Sequence, residues 1–143
     1  MAAYEKQFST TSINTGGREG RSYLEDGTNS MDILPPGSNR EGANPEELFA
    51  MGYSACFHAA LDGVKGKEGI DNKSVVRQTV SLLQVPEELD FKLQVDIEVG
   101  IENLDEPDVQ RLAEEAHKVC PYSRAIKDGH IDITVKSMPY KEA

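Results

Sequence analysis

Residues 44–64 restrict the fold of this 143-residue chain more than any other stretch. They open on helix-start signals. Asn44 can cap, Pro45 suits the first helical position, and Glu47 stands at capping-box spacing. The predicted helix is then apolar on nearly every side: Leu48, Phe49, Met51, Tyr53, Ala55, Phe57, Ala59, Ala60 and Leu61. Its polar residues form a narrow stripe of Glu47, Ser54, His58 and Asp62. A helix without a wet face belongs in a protein interior. Gly63 and Gly66 are expected to break it near Val64. Cys56 lies two positions from both Ser54 and His58, about 200° round the helix from each. It therefore points away from the stripe, into the interior.

The remaining elements are short and mostly one-sided. Residues 5–13 read as a strand, and residues 15–21 as a sharp glycine-rich turn. Residues 22–34 read as a hairpin about Asp26-Gly27. A strand rich in β-branched residues is expected over 75–85. Phe91, Leu93, Val95, Ile97, Val99 and Ile101 alternate with polar residues, the signature of a strand with one wet face. A second, amphipathic helix starts near Pro107 and carries Val109, Leu112, Ala113, Ala116 and Cys120 on one side. Pro121 disfavours helical geometry at Cys120 and should end or kink that helix. A short turn or helix over 122–127 follows. Ile131, Ile133 and Val135 then alternate as a final strand. The order β-β-β-α-β-β-α-β, with no repeat or linker, predicts one α+β domain over residues 1–143, with helices covering one face of an antiparallel sheet.

Composition narrows the function. With 38% hydrophobic residues and no Trp, the core is modest, and a dimer that shares core surface is expected. A formal net charge of −10 disfavours nucleic acid and anionic membranes as partners. No apolar run is long enough to span a bilayer, and the N-terminus has no signal-peptide core, so a reducing cytoplasm is the expected location. In that compartment two cysteines are more often catalytic, redox-active or metal-binding than a structural disulfide.

Cys56 and Cys120 are the only cysteines. A free thiol is only about 3% ionised at pH 7, and burial lowers that fraction further. A reactive buried thiol therefore needs a cation. Arg18 and Arg21, in the glycine-rich turn, are candidates, and guanidinium stays charged when desolvated. A buried Arg in turn needs a carboxylate, which Glu46 can supply. Simpler readings stand beside this one: two inert core thiols, Arg18 as a solvated charge, and Glu46 as a favourable charge at a helix N-terminus. Cys56, His58, His117 and Cys120 could also be read as a zinc set, but residues two apart on a helix point in nearly opposite directions.

Three motifs, in order, are Gly16-Gly17-Arg18-Glu19-Gly20-Arg21, the block from Asn44-Pro45-Glu46-Glu47-Leu48-Phe49-Ala50 to Cys56-Phe57, and Cys120-Pro121-Tyr122-Ser123. Together they closely resemble the organic hydroperoxide resistance proteins, the Ohr branch of the OsmC/Ohr family, over nearly the whole chain. The resemblance implies antiparallel sheets packed on a central buried helix and a second helix, in an intertwined homodimer. It implies a thiol peroxidase acting on organic and fatty-acid hydroperoxides. Cys56 falls at the peroxidatic position, Cys120 at the resolving one, Arg18 at the thiolate-activating one and Glu46 at its carboxylate partner. No bound cofactor is implied. The external reductant is a dithiol, typically that of a lipoylated protein. The turn over 126–130 is one residue longer than the family pattern, and the chain is more acidic.

Helix geometry adds one expectation. Glu46 and Cys56, ten positions apart, are separated by about 15 Å if the helix is continuous. Glu46, with Arg18, is therefore expected to serve Cys56 of the partner subunit. Alternatives to the peroxidase are an OsmC-type enzyme with another peroxide preference, a redox sensor using the same disulfide, and a non-catalytic ligand-binding dimer. Phe49, Met51, Tyr53, Phe57 and Tyr122 are core residues by default, and a minority are expected to line an apolar peroxide pocket.

Overall fold

The computed structural model describes residues 3–140 of the chain. They fall into two compact units. One comprises the residues up to Pro45 with those from Ser137 onward, and the other is Glu46–Lys136.

The smaller unit holds a three-stranded antiparallel sheet of β1 (Ser12–Thr15), β2 (Arg21–Leu24) and β3 (Ser30–Asp32). Ser12 pairs with Leu24, Thr15 with Arg21, and Arg21 with Asp32. The Asp-Gly turn forms as the sequence suggests. Gly27 takes φ +79°, and the Asp26 carboxylate accepts bonds from the Thr28 amide (2.9 Å) and hydroxyl (2.6 Å). The strand expected over 5–13 starts only at Ser12, because β2 offers β1 four partners before the chain turns away.

Between β1 and β2 the chain makes a single 3-10 turn, Gly17–Glu19, which carries Arg18. Gly16 (φ +82°) and Gly17 (φ +62°) supply the left-handed backbone, and the side-chain Oδ1 of Asn14 accepts from the Gly17 amide at 3.0 Å. Gly20 is required for space instead. A methyl group there would lie 1.7 Å from the carbonyl oxygen of Thr15. Gly20→Ala is expected to destabilise this unit by about 1–3 kcal/mol. It should also speed hydrogen exchange at residues 15–21. Unchanged exchange there would show that the turn absorbs the methyl group.

The larger unit runs α1 (Pro45–Lys67), β4 (Ser74–Gln84), β5 (Phe91–Ile101), α2 (Glu106–Val119) and α3 (Pro121–Asp128). α1 does not break at Gly63 or Gly66. Each glycine costs only about 1 kcal/mol in a helix, and burial of Leu61 and Lys65 on either side of Gly63 opposes that cost. Lys65 is 5% exposed. Its ammonium donates to the Asn72 carbonyl and to Ser74 Oγ at 3.2 Å, and it stands 3.7 Å from the Asp62 carboxylate. The helix closes two residues beyond Lys67, where Gly69 turns left-handed (φ +70°) and the Ile70 amide reaches the Lys65 carbonyl.

β4 and β5 form an 11-residue antiparallel pair, from Ser74 opposite Ile101 to Gln84 opposite Phe91. Val76, Val95, Ile97 and Val99 turn to a core of Tyr53, Phe57, Leu61, Leu112, Ala116 and Cys120. The opposite face is mostly polar, with Arg77 and Glu98 paired directly across it at 3.3 Å and Val75 and Leu83 exposed on it. The alternation read from the sequence is thus the alternation of the sheet.

Two expectations change. Residues 131–136 form no strand. Ile131, Ile133 and Val135 are exposed, Val135 at 93%. Alternation prepares two faces, but a strand also needs a neighbour's backbone groups. Likewise α1 is not enclosed on all sides. Tyr53, Phe57, Leu61 and Lys65 are buried, while Met51, Ala55 and Ala59 are exposed. The chain's own elements cover only part of an apolar helix. Among the described residues, no helix is long and apolar enough to cross a membrane.

Candidate active site

Cys56 sits mid-way along α1, and Cys120 is the single residue between α2 and α3. Pro121 explains the break. It forces extended geometry on Cys120 (φ −63°, ψ 124°) and then serves as the first residue of α3. Cys120 still belongs to both helices. Its amide donates to the Ala116 carbonyl and its carbonyl accepts from Arg124, each at 2.9 Å. The apolar stripe of α2 thus delivers Cys120 to the core, fully buried, while α3 leaves in a new direction.

The two thiols, 64 positions apart, meet there. Cys120 Sγ lies 3.7 Å from Cys56 Sγ and donates to it, and both cysteines are free. This separation is outside bonding distance and within reach of a small side-chain movement. Burial pushes the Cys56 thiol above its ordinary pKa. The backbone amide of Tyr122, in the first turn of α3, donates to Cys56 and opposes that shift. The neighbouring Cys120 pushes in the same direction as burial, first through the hydrogen bond between the two thiols and then through the repulsion of two anionic sulfurs. Within its own unit, then, Cys56 is held largely as a thiol, and a cation remains a chemical need.

Glu46 is half-buried in the first turn of α1, and the helix from it to Cys56 is unbroken. The separation of about 15 Å therefore holds, and one chain does not bring Glu46 to its own Cys56. Arg18 is exposed on the 3-10 turn of the smaller unit. Arg21 pairs with Asp32 at 3.4 Å and donates to Ser30 Oγ at 2.7 Å, as the surface reading has it. His58 bonds to Ser74 Oγ at 2.8 Å. Among the described residues no cluster of three His, Cys, Asp or Glu side chains could hold a metal ion.

Two site features were missed in the sequence. One is the Tyr122 amide on Cys56. The other is a 2.6 Å bond between the Tyr53 hydroxyl and Ser123 Oγ, both buried. A phenol in an apolar helix, which must find a partner when buried, was the available signal. Of the aromatics, Phe57 and Tyr53 are core, while Tyr122 is 42% exposed. Cys56 borders a cavity of about 450 Å³ whose wall includes Ala60, Val64, Val119 and Pro121. A larger one of about 600 Å³ lies against Phe57, Ile97 and His117. It has no cysteine in its wall, so the smaller cavity is the relevant one for thiol chemistry.

The OsmC-like protein family matches residues 37–136. Organic hydroperoxide resistance protein-like 2 of Staphylococcus epidermidis is 40% identical over 131 residues, covering 88% of this chain and 92% of its own. OhrB of Bacillus subtilis is 38% identical over 124 residues, 85% of this chain and 90% of its own. The crystal structure of OhrB superposes with a TM-score of 0.78 at 36% identity, covering 89% of this chain and 96% of that one. The organic hydroperoxide resistance protein of Elizabethkingia anophelis does so at 0.76 and 35%, covering 87% and 91%. With its α+β fold and the three motifs in order, this chain belongs to the OsmC/Ohr family, in the branch of the organic hydroperoxide resistance proteins.

Proposed function

We propose that this chain is a cysteine-based thiol peroxidase that reduces organic hydroperoxides, fatty-acid hydroperoxides among them, to alcohols in the cytoplasm. The observation that carries the reading is the 3.7 Å approach of Cys56 and Cys120. The Cys56 thiolate attacks the terminal peroxide oxygen, the O–O bond breaks, and the alkoxide leaves as an alcohol after taking a proton. Cys56 is left as a sulfenic acid. The Cys120 sulfur then attacks Cys56 Sγ, water leaves, and a Cys56–Cys120 disulfide forms. An external dithiol of lipoyl type returns both thiols and is itself oxidised to a disulfide. Steady consumption of cumene hydroperoxide with dihydrolipoamide is the expected result. No consumption above the rate without protein would remove the reading.

The active form on this reading is a homodimer with composite sites, Arg18 and Glu46 of one subunit activating Cys56 of the other. Three features support it: the continuous α1, the exposed apolar side of α1 at Met51, Ala55 and Ala59, and the unpaired alternating residues 131–136. Subunit complementation tests it. Arg18→Gln and Cys56→Ser homodimers are each expected to be inactive. Unfolded together and refolded as a mixture, they should regain about one quarter of wild-type activity, because only the heterodimer, half the population, has one intact site of two. A mixture as inactive as its parents would place Arg18 and Cys56 of one site on the same subunit.

A further inference from the structure

The peroxidase cycle places a geometric demand on Cys120 that its own bonds do not meet. It must stay within reach of Cys56 while occupying the one-residue break between α2 and α3. The first turn of α3 carries the demand, since Tyr122, whose amide donates to Cys56, and Ser123 follow Cys120 directly. Beside that amide and the sulfur pair, a buried hydroxyl pair ties that turn to α1. Tyr53 Oη and Ser123 Oγ are 2.6 Å apart, with Tyr53 3% and Ser123 0% exposed. The Tyr122 ring packs on the Tyr53 ring at a centroid distance of 5.8 Å and passes over Gly52. Tyr53 precedes Cys56 by three positions on α1, and Ser123 follows Cys120 by three on α3. The hydroxyl pair and the sulfur pair therefore bridge the same two helices, about one turn apart.

We infer that the Tyr53–Ser123 hydroxyl pair is a clasp that positions Cys120 and the Tyr122 amide on Cys56, and so sets the rate at which the disulfide closes. The inference rests on the peroxidase reading for its kinetic half and on the geometry alone for its positional half. The two hydroxyls bond to each other, so Tyr53 and Ser123 are positioning residues in this inference. The step they govern is the condensation of Cys56 sulfenic acid with the Cys120 thiol, which forms an S–S bond and releases water. The alternative fate of that sulfenic acid is a second peroxide oxidation to sulfinic acid. A loosened α3 lengthens the interval in which this can occur. Burial raises the pKa of the Tyr53 phenol; the bond to Ser123 opposes that shift, and the charge of nearby ionised cysteines adds to it.

Rapid-quench oxidation by cumene hydroperoxide, with dimedone trapping and mass spectrometry, separates the steps. Tyr53→Phe and Ser123→Ala should each close the disulfide about tenfold more slowly, the loss of one buried hydrogen bond. Oxidation of Cys56 itself should change by less than about threefold. The double variant should be no slower than the slower single variant, because both substitutions remove one bond. Ser123→Thr, which keeps the hydroxyl, should close near the wild-type rate. Closure at the wild-type rate in both single variants, or slowing that multiplies in the double variant, overturns the kinetic half. The positional half is read without peroxide. Amide exchange at Tyr122 and Arg124 should quicken about tenfold in both single variants, with β4 and β5 unchanged. Unchanged Tyr122 and Arg124 exchange overturns the clasp. If those amides respond while even the wild-type chain forms no sulfenic acid or disulfide, the clasp stands and the peroxidase reading falls.

Discussion

Cys56→Ser is expected to lower consumption of cumene hydroperoxide by at least about 10³-fold, a loss of the nucleophile itself. A serine hydroxyl stays protonated at neutral pH and cannot form a sulfenic acid. Cys120→Ser should behave differently, and the contrast is the stronger test. With no added thiol, wild-type chain and Cys120→Ser should each consume one equivalent of peroxide at comparable rates. The wild type should then hold an intramolecular disulfide. The variant, lacking the sulfur that stands 3.7 Å from Cys56, should hold a sulfenic acid that gains a second oxygen as more peroxide is added. Mass spectrometry of the intact chain distinguishes the two. A Cys56→Ser protein that still consumes peroxide would sink the assignment of the nucleophile. A Cys120→Ser protein that resists a second oxidation would sink that of the resolver.

Phe57→Ala should have the largest effect on stability, about 3–5 kcal/mol, or a fall in melting midpoint of about 6–20 °C at fixed protein concentration, at about 2–4 °C per kcal/mol for chains of this size. Phe57 is 2% exposed and joins Tyr53, Leu61, Leu112 and Ala116 in one core. It also lines the 600 Å³ cavity against α2 and β5. Truncation would therefore open new space beside an existing one. A loss below about 1 kcal/mol would mean that α2 closes over the gap. Because Phe57 follows Cys56 on α1, the variant also links core packing to thiol exposure.

The parts of the fold legible in the sequence are those where one local rule decides. The β4–β5 pair follows from alternation, the end of α2 from the proline after Cys120, and the β2–β3 turn from Asp26-Gly27. The misreadings occur where tertiary contacts outweigh propensity. α1 runs past Gly63 and Gly66 because Leu61 and Lys65 are anchored on either side of Gly63, and the bonds of the Lys65 ammonium to Asn72 and Ser74 leave no periodic trace. Residues 131–136 have the pattern of a strand without a partner strand among the described residues. At the site, the sequence separates Cys56 and Cys120 by 64 positions, and only the motif resemblance related them before the sulfurs were seen at 3.7 Å. The Tyr53–Ser123 bond spans 70 positions and follows from no spacing rule. Arg18 and Glu46 were named through motif positions. On the proposed reading, their part in the chemistry rests on a second copy of the chain, which the complementation experiment tests.

The chain separation between the two thiols also has a thermodynamic consequence. A covalent link between positions 64 residues apart removes loop entropy from the unfolded chain, about 4 kcal/mol on the chain-entropy estimate. On the proposed cycle the protein would therefore alternate between a stapled and an unstapled polymer at every turnover. The oxidised intermediate would resist unfolding better than the resting enzyme. A chain meeting peroxide would be hardest to denature at the moment it had just been oxidised, and the dithiol that returns it to service would also return it to its more fragile form.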